Sequence, residues 1–337
     1  MTGAATIRRS CLIGTGSALP ARRVSNAELA ETIDTSDEWI QERTGIGARH
    51  LAGEGETTAT LAADAAKKAI EAAGITAADI SVIVLATATP DQTFPSSASK
   101  VQDLIGAKNA FAFDVAAVCS GFLYAMATAD ALLKTPAGAP ANGRQCALVI
   151  GSETFSRILD WEDRGTCVLF GDGAGAVILE ARDFPAGEMA AAPGVIASRL
   201  HTDGAHNELL YVDGGPSTTG TVGKLRMKGR EVFRHAVTNL ADVLREVMEE
   251  AGIAADQLDW VVPHQANARI LDATAKKLGL PAEKVVKTVG EHANTSAASV
   301  PLALDVAVRD GRIQPGQLVM LEAMGGGFTW GACLLRL

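Results

Sequence analysis

A cysteine stands between a predicted strand and a predicted helix in residues 113–124, FDVAAVCSGFLY. An apolar run ends at Val118, Cys119 follows, and a helical pattern extends from Phe122 to Lys134. The positive end of a helix dipole favours a thiolate and lowers the pKa of a nearby thiol. Cys119 is therefore a candidate nucleophile, although a single cysteine is more often a buried structural residue.

A histidine and an asparagine follow apolar runs in the C-terminal part of the chain. His264 comes after the predicted strand 258–262, and Asn294 comes after the predicted strand 284–289. Thiol, imidazole and amide groups together are suited to nucleophilic acyl transfer. Taken singly, His264 could be a hydrogen-bonded core histidine, and Asn294 could be a helix N-cap.

Two further motifs could contact a ligand. Gly325, Gly326 and Gly327 are consecutive between apolar runs, where glycine permits close approach of the backbone and its N–H groups can stabilise an oxyanion. Trp39 and Arg43 lie four residues apart on a predicted short helix, so they share a face that could bind a flat ring or a phosphate. The plainer interpretations are a tight turn for the glycines and a core tryptophan beside a solvated arginine.

Composition narrows the class of protein. The 337 residues have a net charge of −9, which argues against nonspecific binding of nucleic acid by the whole surface. The five cysteines show no C-x-x-C pattern, which favours a reducing cytoplasm and argues against a structural zinc site. No signal peptide and no membrane span is predicted.

The sequence contains two similar segments, which indicate an internal duplication of the elements that position these residues. EAAGITAADISVIV, from Glu71, aligns without gaps on EEAGIAADQLDWVV, from Glu249. Each copy predicts a helix that ends at a glycine and leads into a buried strand. We expect two similar α/β halves, 1–182 with Cys119 and 183–337 with His264 and Asn294, joined near residues 180–194. Residues 135–145 are interpreted as a surface insertion.

Taken together, the motifs resemble the β-ketoacyl-acyl-carrier-protein synthase III family of the thiolase-like superfamily over nearly the whole chain. They are TSDEWIQERTGI, FPSSASKVQ, FDVAAVCSGF, DRGTCVLFGDGAGAVIL, VPHQANARI, HANTSAASVPLAL and GGGFTWG. The resemblance implies an α/β thiolase-like fold of five layers, αβαβα, with two pseudo-symmetric halves. It also implies a cytoplasmic homodimer with no permanently bound cofactor and no metal.

The resemblance implies an acyltransferase that initiates dissociated fatty-acid synthesis. Cys119 would accept an acetyl or other short acyl group from acyl-CoA and then condense it with malonyl-acyl carrier protein. His264 and Asn294 would donate hydrogen bonds to the enolate formed by loss of CO2. The backbone N–H groups of Cys119 and Gly326 would form the oxyanion hole.

The same resemblance implies the binding residues. Trp39 and Arg164 would stack on adenine, with Arg43 near the phosphates and Asn267 by the pantetheine arm. The acyl pocket would include Phe94, acting across the dimer interface, and Met324, where some relatives carry Phe. Basic residues on two predicted helices would bind the acidic carrier protein, and their plainer interpretation is a solvated face: Arg234, Arg269, Lys276 and Lys277, with Arg230 beside them.

Three alternative functions bear on the same residues, and the sequence argues against the second and the third. A side-branch enzyme of secondary metabolism would keep Cys119, His264 and Asn294 but use an unusual acyl primer. A catalytically inactive binding subunit would usually lack the cysteine. A degradative thiolase would need a second cysteine by the glycines, whereas Cys333 lies beyond them in a strand-like run.

Overall fold

Thirteen strands are present in the residues described by the computed structural model, 6–135 and 144–337. In chain order they are β1 (Thr6–Ala18), β2 (Arg22–Ser25), β3 (Ala48–Leu51), β4 (Ile80–Ala86), β5 (Phe111–Val115), β6 (Cys146–Glu153), β7 (Gly173–Pro185), β8 (Gly194–Thr202), β9 (Leu210–Val212), β10 (Leu225–Met227), β11 (Trp260–Pro263), β12 (Leu318–Gly325) and β13 (Thr329–Arg336). Most of the predicted insertion, residues 136–143, lies outside the described residues.

The same residues contain nine α-helices. They are α1 (Asn26–Ala30), α2 (Asp37–Thr44), α3 (Thr58–Ala72), α4 (Ser97–Ile105), α5 (Gly121–Leu133), α6 (Gly229–Ala251), α7 (Ala268–Leu278), α8 (Val289–His292) and α9 (Ser299–Arg309). In this part of the chain, no helix has both the length and the apolar composition that crossing a membrane requires.

Two larger sheets share one pattern of strand pairing. The first has the order β1-β7-β6-β4-β5, with β4 parallel to β5 and β6, and with β7 antiparallel to β6 and β1. The second has the order β11-β12-β13-β8, with one parallel pair, β11–β12, followed by two antiparallel pairs as in the first sheet. A single parallel bridge between Val261 and Val285 stands where β5 stands beside β4. The two halves of the chain are therefore pseudo-symmetric.

Five layers result from the way helices cover these sheets. The central core contains residues of α5 and α9 together with strands of both sheets, including Phe122, Met126, Val300 and Leu304. Helix α3 packs with the first sheet in a second cluster, and α6 and α7 pack with the second sheet in a third. This arrangement confirms the predicted αβαβα fold.

Small residues allow the outer helix α3 to lie against β1. A Cβ atom at Gly16 would stand 2.3 Å from the carbonyl oxygen of Ala65, and one at Gly14 would stand 2.5 Å from that of Ala69. Alanines on α3 complete this close contact, since Ala62, Ala65 and Ala69 are fully buried. A chain with few aromatic residues thus fills its core by close backbone approach.

Several predicted element boundaries are wrong. The strand predicted at 284–289 is reduced to a single bridge at Val285, and at its end the side-chain oxygen of Gln265 accepts the N–H groups of Thr288 and Val289 at 2.8 and 3.0 Å. These two N–H groups are therefore not available to a neighbouring strand. The strand before Cys119 ends at Val115 rather than Val118. Strand β7 extends through the predicted boundary at residues 182 and 183, and the division into two domains stays a prediction.

Candidate active site

A cavity of about 400 Å³ brings together side chains from both halves of the chain. Cys119 comes from the first half, and His264 and Asn294 come from the second. Apolar side chains form much of the remaining wall, and they include Phe155, Phe170, Leu210, Leu240, Ile270 and Met324. The three predicted reactive residues therefore face one largely apolar space.

Cys119 lies on a tight turn between β5 and α5. Val118 has φ of +46°, in the left-handed region that side chains rarely adopt, and residues Val118–Ser120 form a short 3₁₀ turn. Helix α5 begins at Gly121, so Cys119 is two residues before its first turn. This turn directs a buried thiol, 4% exposed, into the cavity at the positive end of α5.

The structure corrects the expected direction of the thiol pKa. The pKa of the Cys119 thiol is raised to about 12, chiefly by burial and also by the Glu153 carboxylate, while a hydrogen bond to the Ser296 hydroxyl acts in the opposite direction. Desolvation of a thiolate in this apolar space is the largest cause, and it acts against the stabilisation expected from the helix dipole. Cys119 is therefore a neutral thiol in the ligand-free protein.

His264 is held at the exit of β11 by two neighbours. Its backbone N–H donates to the carbonyl oxygen of Glu322 at 2.7 Å, and its Nδ1 lies 2.6 Å from Ser299 Oγ. Burial lowers the pKa of His264 to about 3. The imidazole is therefore neutral at physiological pH and can act as a hydrogen-bond donor without carrying charge.

Asn294 is fixed by hydrogen bonds of its backbone and of its side-chain oxygen. Its N–H donates to the carbonyl oxygen of Leu169, and its own carbonyl oxygen accepts from Gly171, both at 3.0 Å. Its Oδ1 accepts the N–H of Ser296 at 2.9 Å. The side-chain NH2 group is consequently the part of this amide available to a ligand as a donor.

The glycine turn lies directly against the nucleophile. A Cβ atom at Gly325 would stand 2.7 Å from the backbone nitrogen of Cys119, so a side chain there is incompatible with this contact. At Gly326 a Cβ atom would stand 2.7 Å from the carbonyl oxygen of Leu210. Two close approaches thus require glycine where the sequence predicts an oxyanion site.

Aromatic and basic side chains lie at another part of the cavity wall. Trp39, Arg43 and Asn267 line the cavity, as does Gly165 beside Arg164. The guanidinium carbons of Arg43 and Arg164 lie 4.6 and 5.2 Å from the centroid of the Trp39 ring. An inserted base would need about 7 Å between the flanking planes. Arg164 must therefore move if a base stacks between it and Trp39.

Asn267 has a structural role as well as a place on the cavity wall. Its Oδ1 accepts the N–H of Arg269 at 2.8 Å and caps α7, while its Nδ2 donates to the carbonyl oxygen of Arg43 at 3.2 Å. Asn267 is thus the N-cap of α7, whereas the N-cap position of the 3₁₀ turn that follows Asn294 is Thr295.

The two residues predicted for the acyl pocket have different surroundings. Met324 is buried, lines the cavity and packs in a cluster with Leu240 and Phe328. Phe94 is 82% exposed, and it is not among the residues that line this cavity in the described parts of the chain. A single chain therefore brings Met324, but not Phe94, to Cys119.

The predicted basic residues are exposed on two helices that pack together, α6 and α7. Val232 and Ala236 of α6 and Ile270 of α7 line the cavity, and basic residues occupy the adjoining turns of these helices. Arg230, Arg234 and Arg269 belong to those turns, whereas Lys276 and Lys277 occupy the last turn of α7.

Four polar residues beside the site were missed by the sequence reasoning: Ser120, Gln265, Thr329 and Ser299. Each acts through a hydrogen bond to another part of the chain, and no spacing pattern marks such a bond. Their only sequence signal is their place within or next to the motifs quoted above. Within residues 6–135 and 144–337, no three His, Cys, Asp or Glu side chains cluster closely enough to hold a metal ion.

Comparison with known proteins agrees with the motifs. A family model described as 3-oxoacyl-[acyl-carrier-protein (ACP)] synthase III matches residues 113–204, and a model of its C-terminal part matches residues 248–337. The beta-ketoacyl-[acyl-carrier-protein] synthase III of Rhizorhabdus wittichii is 71% identical over 330 residues, covering 98% of this chain and 100% of that protein.

Solved structures give the same result. The crystal structure of 3-oxoacyl-[acyl-carrier-protein] synthase III from Aquifex aeolicus VF5 has a TM-score of 0.89 and 44% identity, covering 97% of this chain and 100% of that one. The priming beta-ketosynthase from the R1128 polyketide biosynthetic pathway has a TM-score of 0.88 and 34% identity, covering 100% of this chain and 99% of that one. On its fold, its family models and these identities, the chain belongs to the 3-oxoacyl-[acyl-carrier-protein] synthase III family.

Proposed function

We propose that this protein is the initiating condensing enzyme of dissociated fatty-acid synthesis. It transfers an acetyl or other short acyl group from CoA to Cys119 and then condenses that group with malonyl-acyl carrier protein. The products are CoA, CO2 and a 3-oxoacyl-acyl carrier protein. The observation that carries the proposal is the meeting of Cys119, His264 and Asn294 in one cavity of a chain that belongs to this family.

Acylation begins with attack of the Cys119 sulfur on the thioester carbonyl carbon. The C–S bond to CoA breaks, and the proton of the Cys119 thiol balances the charge on the departing CoA thiolate. Because burial raises the thiol pKa, the thiolate forms only transiently, and the positive end of α5 stabilises it. The backbone N–H groups of Cys119 and Gly326 bind the oxyanion of the tetrahedral intermediate.

Condensation uses the two donors that line the cavity with Cys119, namely His264 and Asn294. Loss of CO2 from the malonyl group leaves an enolate whose thioester oxygen carries negative charge. The ring N–H of His264 and the side-chain NH2 of Asn294 donate to that oxygen. A neutral imidazole suits this role, since it stabilises the enolate without first giving it a proton. The enolate carbon then attacks the acyl carbon on Cys119, the C–S bond breaks, and the departing Cys119 thiolate takes up a proton from solvent to regenerate the thiol.

The two substrates reach Cys119 through the same cavity. Trp39 and Arg164 bind the adenine ring, Arg43 lies near the phosphates and Asn267 contacts the pantetheine arm. The carrier protein is acidic, so it binds the exposed basic residues Arg230, Arg234, Arg269, Lys276 and Lys277. Because the chain as a whole has a net charge of −9, a local basic patch is needed to attract an acidic partner.

The proposal also includes the assembly and location of the protein, which we expect to be a homodimer in the cytoplasm. Strand β5 is at the edge of its sheet, Phe111 on it is 40% exposed, and Phe94 is 82% exposed. An unpaired strand edge and exposed aromatic side chains favour association with a second copy. Phe94 of one subunit would then close the acyl pocket of its partner.

A second function, in secondary metabolism, would differ from the first in the acyl primer that the enzyme prefers. Met324 lines the cavity at a position where some relatives have Phe. The chain is also 34% identical to a polyketide priming ketosynthase. An identity of 71% with a beta-ketoacyl-[acyl-carrier-protein] synthase III favours the fatty-acid role. We therefore expect acetyl-CoA to be the preferred primer.

The test is a reconstituted reaction with acetyl-CoA and malonyl-acyl carrier protein, in which 3-oxobutanoyl-acyl carrier protein is measured by mass spectrometry. We expect product with the wild type and none with Cys119→Ala. Product from only branched, aromatic or long acyl-CoA donors would favour the secondary-metabolism role. Absence of product with every acyl-CoA would overturn the proposal.

A further inference from the structure

The imidazole of His264 has two ring nitrogens with different surroundings. Nδ1 lies 2.6 Å from Ser299 Oγ, and both residues are buried, with exposures of 6% and 1%. His264 also lines the cavity. With Nδ1 engaged by Ser299, Nε2 is the nitrogen left to face a substrate.

Ser299 Oγ has a second polar neighbour. The backbone N–H of Gln265 donates to it at 3.3 Å. The Gln265 side chain is itself fully bonded, since its Nε2 donates to the carbonyl oxygens of Pro263 and Val286 and its Oε1 accepts from Thr288 and Val289. This buried amide holds the loop after β11 at a fixed position over the start of α9.

Counting protons determines which way the short bond runs. A serine hydroxyl has one proton and can accept two others. Ser299 Oγ already accepts the Gln265 N–H, and its own proton then has Nδ1 of His264 as its acceptor. In the reverse arrangement Nδ1 would donate, and the serine proton would lack an acceptor among these contacts. The arrangement that satisfies every group protonates His264 at Nε2.

We propose that Ser299 is a positioning residue that fixes His264 in the Nε2-protonated neutral tautomer. Only this tautomer presents an N–H donor to the cavity, where the enolate oxygen of the malonyl unit develops charge. The expected effect on catalysis rests on the proposed function. In that function, attack of Cys119 on acyl-CoA does not use the His264 donor. Loss of the Ser299 hydroxyl therefore affects condensation and spares acyl loading.

The first experiment measures the tautomer in folded, substrate-free protein by ¹⁵N NMR of labelled histidine, with the His264 signal assigned by its loss in His264→Ala. We expect Nε2 to carry the proton in the wild type. We expect Ser299→Ala to populate the Nδ1-protonated form. A wild-type ring protonated at Nδ1, or a tautomer that does not change in Ser299→Ala, would overturn the inference.

The second experiment separates the two chemical steps. Acyl loading of Cys119 is followed by intact mass, and condensation is followed in single turnovers of preloaded enzyme with malonyl-acyl carrier protein. We expect Ser299→Ala to load at the wild-type rate and to condense about ten- to a hundredfold more slowly, the factor associated with a lost buried hydrogen bond. An equal decrease in both steps would indicate a general structural role and overturn the inference.

A matched control removes another buried serine hydroxyl. Ser81 lies in β4 and is 1% exposed, and its hydroxyl donates to the carbonyl oxygen of Cys146 at 2.9 Å. Ser81→Ala should alter neither the tautomer nor the ratio of the two steps. If the wild type fails to load any acyl group, the proposed function fails, whereas the tautomer measurement still decides the role of Ser299.

Discussion

The hydroxyl oxygen of Ser120 lies 2.8 Å from that of Thr329, and this contact joins the turn carrying Cys119 to the glycine turn between β12 and β13. Both hydroxyls also lie within hydrogen-bond distance of the Ala117 carbonyl oxygen, at 2.8 and 3.1 Å. Thr329 additionally lies 3.1 Å from the carbonyl oxygen of Gly326. Two hydroxyl groups thus hold together the two backbone segments proposed to form the oxyanion hole.

Thr329→Val tests this connection, because valine keeps the shape of threonine and removes the hydroxyl. We expect acyl loading and condensation to slow together, each by about tenfold, since both pass through a tetrahedral oxyanion. Stopped-flow release of CoA and single-turnover condensation measure the two steps. Thr329→Ser keeps the hydroxyl and should retain most of the activity, whereas normal loading by Thr329→Val would contradict the role given to this contact.

Removal of the Trp39 ring should weaken binding of the nucleotide part of acyl-CoA. We expect Trp39→Ala to raise KM for acetyl-CoA about three- to tenfold, the range for one aromatic stacking contact, with little change in kcat. Acetyl-pantetheine, which lacks adenine and the nucleotide phosphates, serves as the control substrate. An equal effect on the two donors would show that Trp39 acts through the fold rather than through the nucleotide.

Reversal of charge at Arg269 should affect the carrier protein and spare CoA. We expect Arg269→Glu to raise KM for malonyl-acyl carrier protein about tenfold at low salt, with a smaller effect at high salt because exposed charges are screened. Lys67→Glu is the control, since Lys67 lies on α3 and pairs with Asp64 at 3.6 Å. A matching rise in KM for acetyl-CoA would contradict a carrier-specific contact.

The basic residues of α7 should differ in how strongly their charge reversal weakens binding of the carrier protein. Lys277 lies eight residues after Arg269 on α7, or about 12 Å further along the helix axis. Lys277→Glu should therefore weaken carrier binding less than Arg269→Glu, as measured by titration with fluorescently labelled carrier protein. Equal effects of the two reversals would indicate that the carrier protein binds along the full helix.

Glu322 should make the protein less stable as the pH rises. Its side chain is 2% exposed, and burial raises its pKa from 4.5 to about 8. Between these values the unfolded chain binds fewer protons at this group than the folded one. The free energy of unfolding contributed by Glu322 therefore falls with increasing pH, by at most about 1.4 kcal/mol per pH unit.

Glu322→Gln removes this titration while keeping the side-chain length. We expect urea unfolding measured from about pH 5 to pH 8 to show a weaker loss of stability with pH in the variant than in the wild type. The Oε2 atom of Glu322 has no hydrogen-bond partner in the described residues, so substitution there breaks no bond of that oxygen. Identical slopes would show that Glu322 titrates near its ordinary pKa.

The positions of the reactive residues could be predicted from the sequence because each follows an apolar run. Cys119, His264 and Asn294 do meet in one cavity, although the run before Asn294 is not a strand. The repeat of a helix, a glycine and a strand likewise predicted two similar halves. Local pattern was sufficient for these features, since a turn at the end of an apolar run depends mainly on nearby residues.

Features that depend on distant partners could not be predicted in this way. The Ser299 contact with His264 spans 35 residues and the Ser120 contact with Thr329 spans 209, so no periodicity marks either. The thiol pKa of Cys119 was predicted in the wrong direction because a helix dipole can be inferred from sequence, whereas the depth of burial cannot. The catalytic and binding roles of the named residues stay predictions.

Intact mass spectrometry after incubation with acetyl-CoA tests the central claim most directly. We predict that the wild type gains the mass of one acetyl group and that Cys119→Ala gains none. Cys167→Ala, which removes another buried free cysteine, should load like the wild type. Loading of Cys119→Ala, or no loading of folded, reduced wild type, would contradict the assignment of Cys119 as the residue that accepts the acyl group from CoA.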